Sequence, residues 1–231
     1  MAFNPVIYSE KLKQKIKLFK SLPVDERVGN YWDNNDDKDL AALKAHIKNH
    51  YLIAQNFTCP YCQQRIVVEH NSAWDTEHII PKSTHPDLIF EPINLCVSCK
   101  DCNNEKRNKN VLKNPKRTTL PKKREGYIFA HPHLDNYSDH IKVVDSSLYF
   151  LPKTEKGRRT IEICGLLRFI YSYTSYGNVK LEIKEGISRY TQALLNTTDP
   201  AEEVMYLSFI EELTNRGKEL SKLEFQKKFG L

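Results

Sequence analysis

A chain of 231 residues that is 40% hydrophobic and 28% charged can bury a core of its own, which favours a globular protein over a disordered one. No apolar run approaches the roughly 18 to 20 residues that span a bilayer, and the first residues lack the pattern of a secretory signal, so we expect a cytoplasmic protein. The net charge of +6 suits an anionic partner, but such an excess is equally common on solvated surfaces, and charge alone does not decide between them.

Two amphipathic helices are predicted ahead of the first cysteine. Apolar residues recur at helical spacing over Ser9 to Ser21 and again over Lys38 to Gln55. The second stretch follows a run of aspartates, and negative charge suits the positive end of a helix dipole. Residues 1–56 are therefore predicted to form a helical lead-in.

Five of the six cysteines fall in two clusters. The first is the pair Cys59 and Cys62, and the second contains Cys96, Cys99 and Cys102, which make two overlapping Cys-x-x-Cys pairs. Thiols stay reduced in a cytoplasmic protein, so two such pairs indicate a structural zinc ion with four thiolate ligands. The spacing leaves open which second pair binds, and the plainer alternative is that these cysteines are small buried core residues.

A strand, strand, helix unit is predicted around these clusters. The β-branched run Arg65 to Glu69 and the stretch Trp74 to Ile80 are typical of a hairpin. A loop follows Pro81, and the polar run Asn103 to Lys113 is typical of a solvent-facing helix. The unit is predicted to span residues 57–125 and to be held together by zinc.

The stretch DTEHIIPKS begins at Asp75 and places carboxylates beside a histidine. Phosphodiester hydrolysis needs such a pair, because a neutral imidazole can take a proton from water while a carboxylate holds a divalent cation that stabilises the leaving oxygen. On a strand Glu77 and His78 point to opposite faces, so they share a site only where the strand bends or ends. The two isoleucines and Pro81 mark such an end, but a lone Glu-His pair is common by chance.

Further polar residues follow in a definite order. Glu77-His78-Ile-Ile-Pro81 is followed by Asn94-Leu95, and then by Cys99-x-x-Cys102-Asn103-x-x-Lys106. In this order the sequence resembles the HNH endonuclease family, which has a ββα-metal fold. The resemblance implies a zinc-stapled ββα-metal core. With the N-terminal helices and a mixed, mainly helical C-terminal region that the residue patterns predict, the chain is expected to be an α+β protein. Its register selects the zinc ligands Cys59, Cys62, Cys99 and Cys102, and leaves Cys96 out.

The resemblance also implies roles for three polar residues of this chain. His78 would be the general base, Asn94 would brace the loop beside it through backbone hydrogen bonds, and Lys106 would lie near the scissile phosphate. The matching stretch runs from about Cys59 to Lys109 and is under a quarter of the chain.

A catalytic Mg²⁺ or Mn²⁺ ion is implied by the same resemblance, with Glu77 and Asn103 as its ligands and Asp75 as a further candidate. Two positions depart from the commoner family pattern: Glu77 stands where an aspartate is more usual, and Asn103 stands where a histidine is. The longer glutamate could shift the metal slightly.

A strongly basic stretch covers Lys106 to Arg124 and contains Pro115 and Pro121, which predicts an extended or partly mobile segment. It could follow a phosphate backbone or be an ordinary charged loop, and the stretch alone favours neither. Beyond it, His131, His133, Asp135 and His140 form a turn-like cluster. A second metal site there is one interpretation, and solvated or hydrogen-bonded histidines are the commoner one.

The C-terminal residues 126–231 alternate strand-like and helical patterns. The predicted strands are Ile141 to Val144, Leu148 to Leu151 and Arg159 to Ile163. The predicted helices are Leu166 to Tyr176, Lys184 to Leu195 and Pro200 to Leu213. Nothing here looks catalytic, but the apolar run Leu166, Leu167, Phe169 and Ile170 offers a helical face that is mostly core and in part a partner surface.

A narrower resemblance adds HPH, DN and RTI stretches downstream, and it is to the HNH proteins of Septu and retron-associated anti-phage systems. It implies an ABC/SMC-type ATPase partner, with residues 126–231 used for docking and regulation. DNA is the default substrate of the family, and RNA or tRNA stays open. The alternative from another class is a zinc-ribbon module that binds nucleic acid without cutting it.

Overall fold

The computed structural model describes residues 3–68, 71–144, 149–168 and 179–229. The chain divides into two compact units, Met1–Leu166 and Leu167–Leu231. Helices and small antiparallel sheets both occur, which confirms the predicted α+β class. The three-part division of the chain stays a prediction.

The two N-terminal helices are confirmed. Helix α1 spans Glu10–Lys20 and helix α2 spans Lys38–Ala54. Asp37 caps α2, because its carboxylate accepts a hydrogen bond of 2.9 Å from the backbone N–H of Leu40. The apolar stripe of α2 is wholly buried and consists of Leu40, Leu43, Ile47 and Tyr51.

The centre of the first unit is a ββα arrangement. Strand β1 (Trp74–His78) pairs antiparallel with strand β2 (Leu95–Cys99), so that Trp74 lies opposite Cys99 and His78 opposite Leu95. Helix α3 (Lys100–Lys106) follows β2 directly. The predicted unit is therefore present, but its first strand is the one predicted as second.

The predicted pairing of Arg65–Glu69 with β1 is wrong. Among the described residues of that run, Arg65 forms only an isolated bridge with Thr58, and Val67 is 62% exposed. Strand β2 is buried at all five positions, and the Gln55 side chain bonds both the N–H and the carbonyl of Val97. Since β2 removes more apolar surface from water, it is the better partner for β1.

Helix α3 is shorter than predicted and begins earlier. It spans Lys100–Lys106 rather than Asn103 to Lys113. The helix ends because Arg107 takes a left-handed φ of 44°, which a continuing helix does not allow. The following residues form an ordered loop in place of a solvent-facing helix.

The remainder of the first unit packs a short helix, a two-stranded sheet and a longer helix. These are α4 (Tyr137–His140), β3 (Ile141–Val144), β4 (Tyr149–Pro152) and α5 (Glu155–Ile163). Strands β3 and β4 are antiparallel and were predicted, although residue 148 lies outside the described part.

The predicted strand Arg159–Ile163 is wrong, since these residues belong to α5. Thr154 caps this helix through its side-chain oxygen, and the pairs that Arg158 and Arg159 make with Glu155 and Glu162 follow helical spacing. The β-branched residues that suggested a strand fill one buried helical face instead.

The second unit contains helices α6 (Val179–Asn196) and α7 (Pro200–Phe229), which confirms the predicted helices over 184–195 and 200–213. Tyr190 and Phe209 pack across this pair, with ring centroids 5.0 Å apart. The helix predicted over 166–176 lies mostly outside the described residues, as do Phe169 and Ile170. Among the described residues no helix has the length and apolar character that a membrane span requires.

Candidate active site

Four cysteine sulfurs meet where the loop after α2 approaches the end of β2. Cys59 and Cys62 lie in a tight turn, which the N–H of Gln63 closes by donating to the Cys59 carbonyl at 2.9 Å. Cys99 ends β2, and Cys102 lies in the first turn of α3. The four ligand atoms lie within 4.8 Å of one another, and all four residues are buried.

This spacing suits a tetrahedral zinc ion. Zinc–sulfur bonds of about 2.3 Å at tetrahedral angles put the sulfurs about 3.8 Å apart. The sulfurs of Cys62 and Cys99 lie 3.8 Å apart. The donor set therefore fits structural zinc, which supports the predicted staple of the core. Cys96 is buried elsewhere, close to Tyr61 and Glu77.

A cleft of about 860 Å³ opens between α2, β1 and α3. Four residues of the predicted site line it, namely Asp75, Glu77, His78 and Asn103. Asn94 and Lys106 are not among the lining residues, and both are fully buried. The structure thus divides the predicted residues into a group at the cleft and a group behind it.

His78 lies at the end of β1 and is 6% exposed. Its Nε2 atom is 3.2 Å from the carbonyl oxygen of Ile89, and the Trp32 ring packs edge-on against the imidazole. Burial, followed by the charge of Lys82, lowers the pKa of His78 to about 3, so the ring is neutral at neutral pH. Because a carbonyl only accepts hydrogen bonds, Nε2 carries the proton and Nδ1 keeps the lone pair.

Asn94 joins the end of β1 to the loop that follows it. Its side-chain oxygen accepts from the N–H of Ile80 at 2.7 Å, and its amide group donates to the carbonyls of Ile80 (3.2 Å) and Leu88 (3.1 Å). Its own carbonyl accepts from the N–H of Ile79 at 2.8 Å. These bonds fix the loop that presents the Ile89 carbonyl to His78.

Lys106 forms a buried ion pair with Glu77. The Lys106 Nζ lies 2.6 Å from Glu77 Oε1 and donates to the His78 carbonyl at 3.1 Å. Tyr61 donates its hydroxyl to the same carboxylate oxygen at 3.2 Å. Burial raises the pKa of the Glu77 carboxyl, and Lys106 and Tyr61 offset part of that rise. The lysine therefore neutralises the glutamate and ties down the last residue of β1.

Asp75 and Asn103 face each other across the cleft wall. The amide nitrogen of Asn103 donates to Asp75 Oδ2 at 2.9 Å, and both side chains are partly exposed. Asp75 lies two residues before Glu77, so the two carboxylates share one face of the strand. A carboxylate and an amide oxygen are ligands that Mg²⁺ and Mn²⁺ accept, so this part of the cleft fits a divalent ion.

Residues 59–111 match the family model described as HNH endonuclease. The match contains both cysteine pairs, the cleft carboxylates and His78. It covers less than half of the chain, so the comparison concerns this HNH segment.

A curated protein is also similar over a longer stretch. This chain is 30% identical over 147 residues to "Septu protein PtuB" of Bacillus thuringiensis. The similarity covers 62% of this chain and 51% of the relative. The chain therefore spans about half the length of the curated relative that it matches.

Residues outside the HNH segment complete the cleft, and the motif gave no signal for them. Trp32 covers one edge of His78, and α2 contributes Lys44 and Lys48 to the wall. With Lys82, which pairs with Asp33, and with Arg107, these two lysines make four cations that line the cleft alongside its carboxylates. The only sequence signal for Lys44 and Lys48 is that they lie outside the apolar stripe of α2.

The histidine cluster after the HNH segment is built around a buried aspartate. Asp135 binds the Lys156 ammonium at 2.8 Å and His140 Nε2 at 3.1 Å, and it accepts from the backbone N–H of His131 at 2.8 Å. In the described ranges, the four-cysteine group is the one set that brings three or more candidate ligand atoms together. The contacts of Asp135 thus favour the structural interpretation of the cluster.

Proposed function

We propose that this protein is a metal-dependent HNH endonuclease that hydrolyses phosphodiester bonds, with DNA as its default substrate. The proposal depends on one observation, which is that the neutral imidazole of His78 lines the same cleft as the Asp75–Asn103 pair. A base and a divalent-ion site in one cation-lined cleft are the parts that this reaction needs.

His78 is proposed to act as the general base of the hydrolysis. The Nδ1 atom of His78 takes a proton from the water that attacks phosphorus, while the Ile89 carbonyl holds the Nε2–H and so fixes the ring. The bond from phosphorus to the 3′ oxygen breaks, that oxygen takes up a proton from solvent water, and His78 then releases its proton to solvent. The products are a 5′-phosphate end and a 3′-hydroxyl end.

Asp75 and Asn103 are proposed to hold the catalytic Mg²⁺ or Mn²⁺. When bound, the ion would supply Lewis-acid stabilisation of the charge on the phosphate and the leaving oxygen. Glu77 is the ligand that the family resemblance implies, but its carboxylate is engaged by Lys106. The contacts therefore favour Asp75 as the principal carboxylate ligand, with Glu77 and Lys106 as residues that position the end of β1.

The test is cleavage by the purified protein of supercoiled plasmid and of total RNA, with Mg²⁺, with Mn²⁺ and with a chelator. His78→Ala is expected to lower the cleavage rate by about 10² to 10⁴, because a general base is lost. The matched control is His46→Ala, since His46 is exposed on α2, and its ring contacts the Ile7 carbonyl and the Tyr8 ring rather than the cleft. The control is expected to cut at the wild-type rate.

Full activity of His78→Ala would defeat the proposed role of this residue. Binding of nucleic acid without cleavage under any metal condition would favour the alternative function, a zinc-ribbon binding module. The same assay with both polymers decides between DNA and RNA as substrate.

We further propose that the protein acts in anti-phage defence together with an ABC/SMC-type ATPase. The similarity to Septu protein PtuB supports the defence role. The second unit supports a partner surface, because α7 exposes Val204 (66%) and Leu207 (55%), one turn apart on the same face. The contact is expected to lie mainly outside Cys59 to Lys109.

Co-expression with the neighbouring ATPase gene, followed by size-exclusion chromatography, is expected to give a stable complex. Leu207→Glu should weaken this complex by about tenfold or more, because it places a charge in an apolar contact. Leu18→Glu is the matched control, since Leu18 is 62% exposed on α1, in the first unit. Separate elution of the wild-type proteins at micromolar concentration would instead indicate a free-standing nuclease.

A further inference from the structure

A strongly basic surface is formed by an ordered loop over residues 113–126, which we name the basic loop. It carries six lysines and arginines and one acid, so its net charge of +5 compares with +6 for the whole chain. The cations are all exposed, and they are Lys113, Lys116, Arg117, Lys122, Lys123 and Arg124. The acid, Glu125, contacts Arg124 at 3.2 Å.

The basic loop is closed at its base rather than extended or loose. The N–H of Lys113 donates to the Gly126 carbonyl at 2.9 Å, and the flanking Leu112 and Tyr127 form an antiparallel bridge. The Tyr127 hydroxyl donates to the Pro121 carbonyl at 3.0 Å. The loop therefore presents its charges from a fixed frame, which lowers the entropy lost when they bind a ligand.

A hydrogen bond joins the basic loop to the segment that borders the cleft. The Nε2 atom of His85 lies 2.7 Å from the Arg117 carbonyl, and the Nδ1 atom of the same ring contacts the Thr84 hydroxyl at 2.9 Å. His85 follows Pro81 and Lys82, which line the cleft. The loop is thus fastened a few residues beyond His78, to the segment that supplies Lys82 to the cleft.

We propose that the basic loop is a second phosphate-backbone contact, which holds double-stranded DNA outside the cleft and independently of its sequence. The inference rests on the proposed function and adds to it where the substrate lies. Exposed lysines and arginines gain binding free energy by releasing the counterions of phosphates. A surface that concentrates most of the net charge of the chain next to the cleft is suited to a polyanion that is longer than the cleft.

The experiment uses the full chain with His78→Ala, so that DNA is bound and not consumed. In this background, Lys113, Lys116, Lys122 and Lys123 are changed together to glutamine. The matched control changes four exposed lysines of α1 to glutamine, and these are Lys11, Lys13, Lys17 and Lys20. Both variants lose the same charge and are expected to keep the parental melting temperature, since every altered side chain is exposed.

Affinity for a short labelled DNA duplex is measured by fluorescence anisotropy over a series of salt concentrations. The slope of log K against log salt is expected to become shallower by about 3 to 4 in the loop variant, because each lost phosphate contact removes about 0.9. The α1 control is expected to change the slope by less than about 1.

Equal slopes for the loop variant and its parent, or an equal change in the α1 control, would overturn the proposal. Unchanged duplex binding together with loss of the ATPase complex would assign the basic loop to a protein partner and also overturn it. Failure of the proposed function has a different result, since the wild-type chain would then not cut plasmid whatever the slopes are.

Discussion

Replacing Cys59 or Cys102 with serine is expected to release zinc and to unfold the ββα core. The four thiols are arranged to bind one ion, which would join the loop after α2 to the junction of β2 and α3. Structural zinc contributes a folding free energy of about 10 kcal/mol or more in small zinc domains, which exceeds the net stability of many whole domains. Zinc content by elemental analysis and thermal unfolding by circular dichroism measure the two effects.

Cys96→Ser is the matched control for this prediction. Cys96 is as buried as the ligands, but it lies outside the four-sulfur cluster. Its replacement should keep the zinc content at one ion per chain and cost about 1–2 kcal/mol of stability, because burying a hydroxyl costs more free energy than burying a thiol. Zinc loss equal to that of Cys99→Ser would show that Cys96 is a ligand, and wild-type protein without tightly bound zinc would contradict the proposed four-cysteine zinc site.

Helix α2 could be predicted from the sequence because its burial is periodic. Helix α2 buries Leu40, Leu43 and Ile47 at helical spacing and begins at a capping aspartate, so pattern and cap agree. Strand β2 has no such pattern, since all five of its positions are buried and none alternates with solvent. A fully buried run is ambiguous by periodicity, and only tertiary contacts such as those of Gln55 identify it as the partner of β1.

The residues at the candidate site were predictable, but their contacts were not. Glu77, His78 and Asn103 could be selected because a family motif fixes their order. The same motif implied a position near the phosphate for Lys106, whereas the folded chain turns this side chain inward to Glu77. The direction of this side chain depends on how closely α3 packs against β1, and this packing distance cannot be read from the sequence. Trp32 belongs to no motif in the sequence, and its contact with His78 is a tertiary contact that only the folded structure shows.

Lys106→Met is expected to destabilise the protein by about 3–5 kcal/mol, because it leaves the Glu77 carboxylate buried without its cation. The control is Lys100→Met, since Lys100 lies on the same helix and is exposed, and it should cost less than about 1 kcal/mol. The double variant Glu77→Gln/Lys106→Met should recover part of the loss, because no buried charge remains. Chemical unfolding of the four proteins measures these differences.

The loss in Lys106→Met should depend on pH. Burial raises the pKa of Glu77, and without Lys106 the main opposing effect is gone, so the folded protein holds a proton that the unfolded chain releases. The folded state then binds more protons than the unfolded state, and stability falls as pH rises above the ordinary carboxyl pKa. The destabilisation is therefore expected to be smaller at about pH 5 than at about pH 8, and the double variant should not show this difference.

Asp75 and Glu77, the two carboxylates of β1, are expected to differ in their contributions to metal binding and to stability. Asp75→Asn is expected to weaken Mn²⁺ binding in calorimetry by about tenfold or more while changing stability by less than about 1 kcal/mol, since Asp75 is partly exposed. Glu77→Gln is expected to lower the stability and to leave Mn²⁺ binding nearly unchanged. The stability falls because the Lys106 ammonium is left buried beside a neutral amide. If Glu77→Gln abolishes Mn²⁺ binding and Asp75→Asn does not, the metal belongs to Glu77, and the ion pair with Lys106 must open for the ion to bind.

If Lys106→Met is as stable as Lys100→Met, the buried pair does not stabilise the fold.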